Sequence, residues 1–441
     1  MPGSVPQPLP TSCSPVPSTS SSRRSKVMLS RRDFIKGTAL VSIGTAAGPL
    51  LKGSLAFAAQ NPAYAAANNG RVLVLVQMAG GNDGLNTLVP VGDSAYRSAR
   101  KLLGVADEAA LPLEPGFGLH PNLTGLKGLW DSGKLAAVRG VGYPGQDYSH
   151  FKSMAIWQAG DPGLSFQDGW LGRTLEALES EQHDPFFGFN AGTSTPAEMR
   201  TADIPIISVR DEADYAFKVR AKPGDSTDPR SATLLKLYEQ YPSASPYGVL
   251  LETTVDSAVA SSAQLAEAAK VYKPAVEYPQ TSFASGLSLL AEVIVGGLGM
   301  RVGHITLGGF DTHSSQATDH PRLMQELDQG LTAFYNDLAA QGKAQDVLVL
   351  TWSEFGRRVQ ENASGGTDHG AASVLFALGD HVKRGLYGDP PDLQKLVDNG
   401  NVPFTTDFRR VYATVIERWL GVPSEPLLGE QWQPLEFLPA A

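Results

Sequence analysis

Three apolar segments of the chain each run into a glycine-rich segment that carries acidic or histidine side chains, and this recurrence constrains the fold most. The apolar segments and the polar segments after them are 72–77 before 79–84 (AGGNDG), 304–307 before 308–313 (GGFDTH), and 347–350 before 352–370 (WSEFGR to GGTDHG). Short apolar runs bounded by glycine are typical of buried strands. Because α/β proteins bind ligands at the carboxyl ends of parallel strands, the pattern predicts an α/β fold with a site at that edge.

The segments between and around these runs alternate between strand and helical patterns. Further predicted strands are 134–141, 186–189, 204–209 and 373–378, and predicted helices are 151–158, 282–297, 321–341 and 407–420. This alternation predicts a doubly wound, mostly parallel sheet sandwiched by helices. Residues 222–280 depart from it, with a turn-rich start and an alanine-rich helical pattern. We interpret them as a helical insertion in a single α/β domain that spans 66–441.

The amino-terminal 65 residues predict a leader that is removed on export. A Ser/Pro-rich stretch precedes 30–36 (SRRDFIK), which resembles the twin-arginine export signal, and a weakly apolar run follows at 37–51. A transmembrane anchor is the weaker interpretation, because the run is short, contains Pro49 and ends at Lys52. We therefore expect export by the twin-arginine machinery, no stable membrane span, and a periplasmic or secreted mature protein.

Charge and cysteine content exclude several classes of protein. The chain carries a net charge of −9, and its first 65 residues hold seven basic residues and one acid, so the remainder carries −15. Such an acidic protein is a poor candidate for binding nucleic acid. Cys13, in the leader, is the only cysteine. The mature protein therefore has no disulfide, thiolate metal site or cysteine-ligated iron–sulfur cluster.

The acids and histidines at the predicted strand ends favour a metal site. Asp311 and His313 lie two positions apart, on one side of an extended backbone, and Asp368 and His369 form a second pair. Carboxylates and imidazoles suit divalent cations, so we expect one or two ions (zinc, calcium, magnesium or manganese). For a single acid, a turn or a helix cap is the simpler explanation; three converging sets favour a site.

Side chains in two further segments are candidates for attacking and binding an anionic substrate. Ser149 opens a predicted helix, where it suits an N-cap, but a helix N-terminus also suits phosphate or sulfate, and a metal would activate the hydroxyl. His150 is the alternative polar group there. Arg357 and Arg358 suit an oxyanion clamp, with pairing to acids such as Glu361 as the plainer alternative.

The glycine-rich segment 80–84 also permits a dinucleotide-binding interpretation, because it follows a predicted strand. Its spacing is not G-x-G-x-x-G, and no acid ends a second strand some twenty residues later. We expect instead that the glycines turn the backbone sharply and present Asp83. The chain therefore lacks the sequence signature of a nicotinamide or flavin oxidoreductase.

The leader and the motifs GGNDGLN, YSHF, GGFDTH, WSEFGR and GGTDHG together resemble an exported bacterial family, domain of unknown function 1501, over about residues 71–420. That family is similar to the alkaline phosphatase and sulfatase superfamily, whose doubly wound α/β fold holds divalent metals at strand ends. The resemblance implies these roles: Asp83, first-strand metal ligand; Ser149, nucleophile; Asp311 and His313, next metal pair; Glu354, acidic ligand; His369, late histidine ligand.

Two departures from the superfamily bear on the function, and one of them is that Asp311 and His313 are closer in sequence than its usual spacing. Phe355 stands where the superfamily commonly has a histidine after the acid, so one metal, two metals or a degenerate site are all possible, with Asp368 as a substitute ligand. We expect an exported metal-dependent hydrolase of phosphate or sulfate esters, acting on a small anionic ester or glycan. The alternative, favoured by Phe355, is a non-catalytic exported binding or assembly protein that retains the alkaline phosphatase-like fold.

Overall fold

The predicted alternation of strands and helices runs through the residues that the structure describes. The computed structural model describes residues 70–178, 184–211, 215, 246–398 and 400–440, which all lie within one compact unit. The predicted leader and residues 222–245 of the predicted insertion lie outside them, so these two interpretations stay predictions. Among the described residues, no helix has both the length and the apolar character needed to cross a membrane.

The strands are β1 (Val72–Ala79), β2 (Leu88–Pro90), β3 (Leu111–Pro112), β4 (Phe117–Leu119), β5 (Leu135–Gly142), β6 (Gly188–Asn190), β7 (Ile206–Ser208), β8 (Val302–Gly308), β9 (Val347–Trp352), β10 (Arg357–Glu361), β11 (Thr367–His369), β12 (Ser373–Leu378), β13 (Gly385–Tyr387) and β14 (Thr406–Asp407). The α-helices are α1 (Gly84–Thr87), α2 (Ser94–Ala99), α3 (Thr124–Asp131), α4 (His150–Ala159), α5 (Trp170–Leu178), α6 (Pro246–Val271), α7 (Ser282–Val295), α8 (Gln316–Ala340), α9 (Phe408–Thr414) and α10 (Glu425–Leu428). A π-helical segment, Val415–Leu420, continues α9.

The main sheet confirms the predicted doubly wound, mostly parallel class. Its strand order is β13-β5-β12-β9-β1-β8-β6-β7, with β14 beside β5. Strands β9, β1, β8, β6 and β7 are parallel to one another. The exception is β12, which is antiparallel to both β5 and β9.

The sequence of β1 explains why it lies at the centre of this sheet. Its VLVLVQMA run is buried along nearly its whole length, as expected of a parallel strand covered by helices on both faces. Leu73 and Leu75 pack with residues of α4, α5 and α9 on one face, whereas Val74 and Val76 pack with residues of α3, α7 and α8 on the other. Burial of each such side chain contributes about 1.5–3 kcal/mol.

Helix α8 begins earlier than the sequence pattern indicates, and the reason is tertiary. The predicted start was Pro321, but Pro321 lies inside a helix that begins at Gln316. The buried Gln316 side chain accepts hydrogen bonds from Thr312 (3.1 Å) and Thr367 (2.7 Å) and donates one to Asp83 (2.5 Å). These contacts anchor the first turn of α8 beside the strand ends.

Candidate metal centre

The sheet brings most of the predicted ligands to one edge. Strand β1 lies between β8 and β9, and because all three are parallel, the segments after them begin at the same edge. Asp311 and His313 follow β8, and Glu354 follows β9. His369 ends β11, and His150 begins α4.

Four of these side chains form a group that we call the His-Asp cluster: His150, Asp311, His313 and His369. One nitrogen or oxygen of each of His150, Asp311 and His369 lies within 4.8 Å of the others. His313 adjoins this group, with its Nε2 2.8 Å from Nε2 of His369 and 3.2 Å from Oδ1 of Asp311. His150 Nε2 lies 3.5 Å from Oδ2 of Asp311. Three imidazoles thus present Nε2 to one carboxylate.

The outer nitrogen of each imidazole faces an oxygen. Nδ1 of His150 lies 2.7 Å from Oε1 of Glu354, and Nδ1 of His369 lies 2.7 Å from the Tyr148 carbonyl oxygen. Nδ1 of His313 lies 3.4 Å from Oδ1 of Asp368. A proton on Nδ1 that donates to oxygen leaves the lone pair on Nε2, and proteins orient metal-binding histidines in this way.

Glu354 lies behind His150 and contacts its Nδ1, whereas the sequence predicted that Glu354 itself is a metal ligand. Its carboxylate is 1% exposed and also accepts a hydrogen bond from the Gly80 backbone N–H, at 2.9 Å to Oε1. Gly80 has φ +123°, and a Cβ there would collide with the backbone of Phe310 and Asp311. Only glycine lets the end of β1 approach this closely.

Arg357 holds Asp311 and does not face the open site, although the sequence predicted it as an oxyanion clamp. Its side chain is fully buried and donates to Asp311 Oδ1 (2.7 Å) and to the carbonyl oxygens of Gly81 (2.7 Å) and Thr367 (2.9 Å). Partial burial acts to raise the pKa of Asp311, but the hydrogen bond and charge of Arg357 outweigh it and lower that pKa to about 2. The carboxylate is therefore ionised at neutral pH.

The environment of His369 favours the neutral imidazole that a metal requires. Burial lowers the pKa of His369, the hydrogen bond with the Tyr148 carbonyl opposes this, and the nearby Arg357 charge lowers the pKa further. The Tyr148 hydroxyl donates to Asp398 (2.8 Å) and accepts from Asn401 (3.0 Å). Tyr148 thereby links Asp398 and Asn401 to His369.

Phe355, the departure from the superfamily pattern, packs against the cluster. It is fully buried, and its ring centroid lies 4.8 Å from that of His150 and 4.6 Å from that of His369. The aromatic ring limits the movement of both imidazoles on their buried side, where a polar side chain would have no contact with solvent. Phe355 therefore has a structural role, which is to pack against two histidines of the cluster.

Asp83 lies outside the cluster, although the sequence predicted it as a metal ligand. Its carboxylate is fully buried and paired with both terminal nitrogens of Arg100, at 2.5 and 3.1 Å. Burial acts to raise the pKa of Asp83, but the Arg100 charge and hydrogen bonds lower it overall. Both oxygens already have strong partners, so Asp83 stabilises the turn after β1.

Ser149 and Arg358 are the predicted anion-binding groups that face solvent. Ser149 is exposed at the N-cap position of α4, where its hydroxyl makes no capping hydrogen bond. The side chain of Arg358 is 38% exposed, with its Nη1 4.0 Å from Oδ2 of Asp368, and its Nε has no hydrogen-bond partner among the described residues. Asp368 lies between His313 and Arg358, outside direct reach of the other imidazoles.

The residues of the cluster fit a divalent metal ion. Nε2 of His150 is buried and has no hydrogen-bond partner among the described residues, although it points at Asp311. Three imidazole nitrogens with one carboxylate form a donor set typical of zinc and similar borderline metals, whereas calcium and magnesium prefer oxygen ligands. The sequence identified Asp311, His313 and His369; the motif YSHF also contained His150, which was considered only as an alternative to Ser149.

The family model for protein of unknown function DUF1501 matches residues 134–428, and no curated protein matches the chain in sequence. Among solved structures, PsFucS1 sulfatase from Pseudoalteromonas sp. is similar at 10% identity and a TM-score of 0.40, over 86% of this chain and 73% of that one. A mutant of alkaline phosphatase PafA is similar at 9% identity and a TM-score of 0.37, over 82% and 96%. These likenesses are distant, and the α/β class follows from the sheet itself.

Proposed function

The chain belongs to the DUF1501 family of proteins of unknown function, and from the His-Asp cluster we propose that it is an exported, metal-dependent hydrolase of phosphate or sulfate esters. The convergence of three Nε2 atoms on Asp311, each with its outer nitrogen facing an oxygen, carries this proposal. Export rests on the predicted leader alone.

The residues of the site divide into holding and reacting groups. His150, Asp311, His313 and His369 would hold the ion, Glu354 orients His150, and Arg357 keeps Asp311 ionised. The bound ion would supply Lewis-acid stabilisation of charge on a phosphoryl or sulfuryl oxygen and would lower the pKa of a hydroxyl next to it.

Ser149 is the proposed nucleophile because it is exposed and uncapped at the start of α4, a ten-residue helix whose first backbone amides favour an anion. Its hydroxyl gives its proton to solvent, its oxygen bonds to phosphorus or sulfur, and the ester bond breaks. The alcohol leaves and takes up a proton. Water then cleaves the serine ester, restores the hydroxyl and releases the inorganic anion, while Arg358 supports the oxyanion.

Phe355 was the sequence feature that favoured a non-catalytic binding protein. Its contacts with the rings of His150 and His369 give it a role in either kind of protein. It therefore no longer distinguishes between the two functions, and the distinction falls to an assay.

The test measures hydrolysis of p-nitrophenyl phosphate, p-nitrophenyl sulfate and bis-p-nitrophenyl phosphate by the full chain, before chelation, after chelation and after reloading with zinc or manganese. We expect turnover of at least one ester that is lost on chelation, restored on reloading and absent in His150→Ala. His381→Ala is the matched control, because His381 is exposed and outside the cluster. A metal-loaded protein that cleaves none of the three esters contradicts the hydrolase proposal.

A further inference from the structure

A groove of about 420 Å³ lies where β6 ends beside β8, between α4 on one face of the sheet and the start of α7 on the other. We call it the polar groove and define it by Gln77, Met154, Gln158, Thr193, Ser194 and Thr306, which are among the residues that line it. None of these residues has a part in the proposed chemistry.

The polar groove exists because β8 extends further than its neighbour β6 at this edge of the sheet. Strand β6 ends at Asn190, opposite His304, whereas β8 continues to Gly308. The His304 carbonyl points towards β6 and accepts a hydrogen bond from Ala191 N–H at 2.8 Å. Backbone groups two residues further along a strand point the same way, so the N–H and C=O of Thr306 face the groove, where no described backbone group bonds them.

The floor of the groove carries polar side chains where β1 and β8 end. Leu73 and Leu75 of β1 pack in the core on one face of the sheet, but the next residue on the same face is Gln77. Gln77 is paired in register with Thr306, whose hydroxyl donates to its side-chain oxygen at 3.2 Å. Polar side chains at the carboxyl ends of parallel strands are placed as ligand-binding groups are.

Helix α4 connects the groove to the His-Asp cluster. His150, Met154 and Gln158 are spaced by four residues, so they lie along one face of the helix. Met154 closes the gap to the sheet, with its sulfur 3.5 Å from the side-chain nitrogen of Gln77. The groove therefore begins about one helical turn from a proposed metal ligand.

The lining identifies the kind of ligand. The side chains of Gln158, Thr193 and Ser194 make no hydrogen bond to another described residue, and with the Thr306 backbone they offer both donors and acceptors. Hydroxyl groups both donate and accept, so a ligand with many of them matches these groups. The side chains of Met154, Ile305 and Phe283 also line the groove and offer apolar contacts for the C–H faces of a sugar ring.

We propose that the polar groove binds the alcohol part of the ester and that this part is a sugar. The inference rests on the proposed hydrolase function only for the identity of the ester; sugar binding itself is independent of turnover. In this proposal the groove determines which class of alcohol is bound, and the cluster binds the anionic group of the ester.

The experiment is ligand-observed saturation-transfer NMR on the full chain with methyl glycosides of glucose, galactose, mannose, fucose and glucuronic acid. We expect at least one to bind and its Kd to rise about three- to tenfold in Gln158→Leu, since one neutral hydrogen bond is lost. Ser194→Ala, in an exposed loop, provides a second variant, and Gln394→Leu, at an exposed position outside the groove, is the matched control. Thermal melts confirm that each variant is folded.

Failure of this inference is distinct from failure of the proposed function. The sugar assignment is overturned if no glycoside in the panel binds the wild type. It is also overturned if Gln158→Leu and Ser194→Ala both bind the glycoside as tightly as the wild type does. If a glycoside binds in the expected way while no aryl ester is cleaved, the groove assignment holds and the hydrolase proposal fails.

Discussion

Replacing Glu354 tests whether the cluster is built to hold a metal, because Glu354 contacts a proposed ligand without being one. It orients His150 through a 2.7 Å contact and accepts the Gly80 N–H. Loss of such a supporting partner weakens metal binding by about 10- to 100-fold, or about 1.4–2.7 kcal/mol. Glu354→Gln keeps the shape and removes the charge, so we expect the lower end of that range, and Glu354→Ala the upper end.

The assay is competition for zinc against a chromophoric chelator, with thermal melts in parallel. Glu354→Ala also leaves the half-buried Gly80 N–H without its acceptor, which lowers the folding free energy independently of any metal, so Glu354→Gln is the more informative variant. Glu361→Gln is the matched control, because Glu361 also accepts a backbone N–H, from Leu103 at 2.9 Å, but contacts no imidazole. A folded Glu354→Gln protein with wild-type zinc affinity refutes the reasoning.

Three further predictions concern the nucleophile, a buried ion pair and a buried histidine. Ser149→Ala is expected to lower kcat for ester hydrolysis on the order of a thousandfold or more with the metal content unchanged; retained turnover in a kinetic assay removes Ser149 from the mechanism. Arg100→Met leaves Asp83 as an unpaired buried carboxylate and is expected to lower the free energy of unfolding by about 3–5 kcal/mol, measured by urea denaturation; unchanged stability contradicts this. Burial lowers the pKa of His320 to about 4 from its ordinary 6.5, so the unfolded chain binds the proton first, and stability is lost as pH falls from about 6.5 to 4, by up to about 3 kcal/mol. His320→Gln is expected to flatten unfolding curves over that pH window, and an unchanged slope is the contrary result.

The fold was predictable from local patterns because buried parallel strands have a distinctive composition. The predicted strand at 373–378 coincides with β12, and the predicted run at 72–77 lies within β1. The antiparallel direction of β12 was not predictable, since it depends on which strands it pairs with and not on its own residues.

The sequence predicted the site residues that lie at strand ends. It did not predict the contacts that form between residues distant in sequence. Asp311, His313 and His369 came together because parallel strands end at one edge. The pairing of Asp83 was not predictable because its partner, Arg100, lies in no motif and reaches it only in the folded chain. Arg357 and Arg358 were treated as a pair, but both lie on β10, where successive side chains point to opposite faces, so one is buried and the other partly exposed.

The most direct test of the His-Asp cluster is elemental analysis of the full chain purified without chelator, for the wild type and for the His313→Ala, His369→Ala double variant. We expect a stoichiometric divalent metal of the zinc type in the wild type and its loss in the folded double variant. A wild-type protein that holds no metal after attempted reloading would contradict the metal centre. A double variant that keeps the metal would contradict its assignment to these residues.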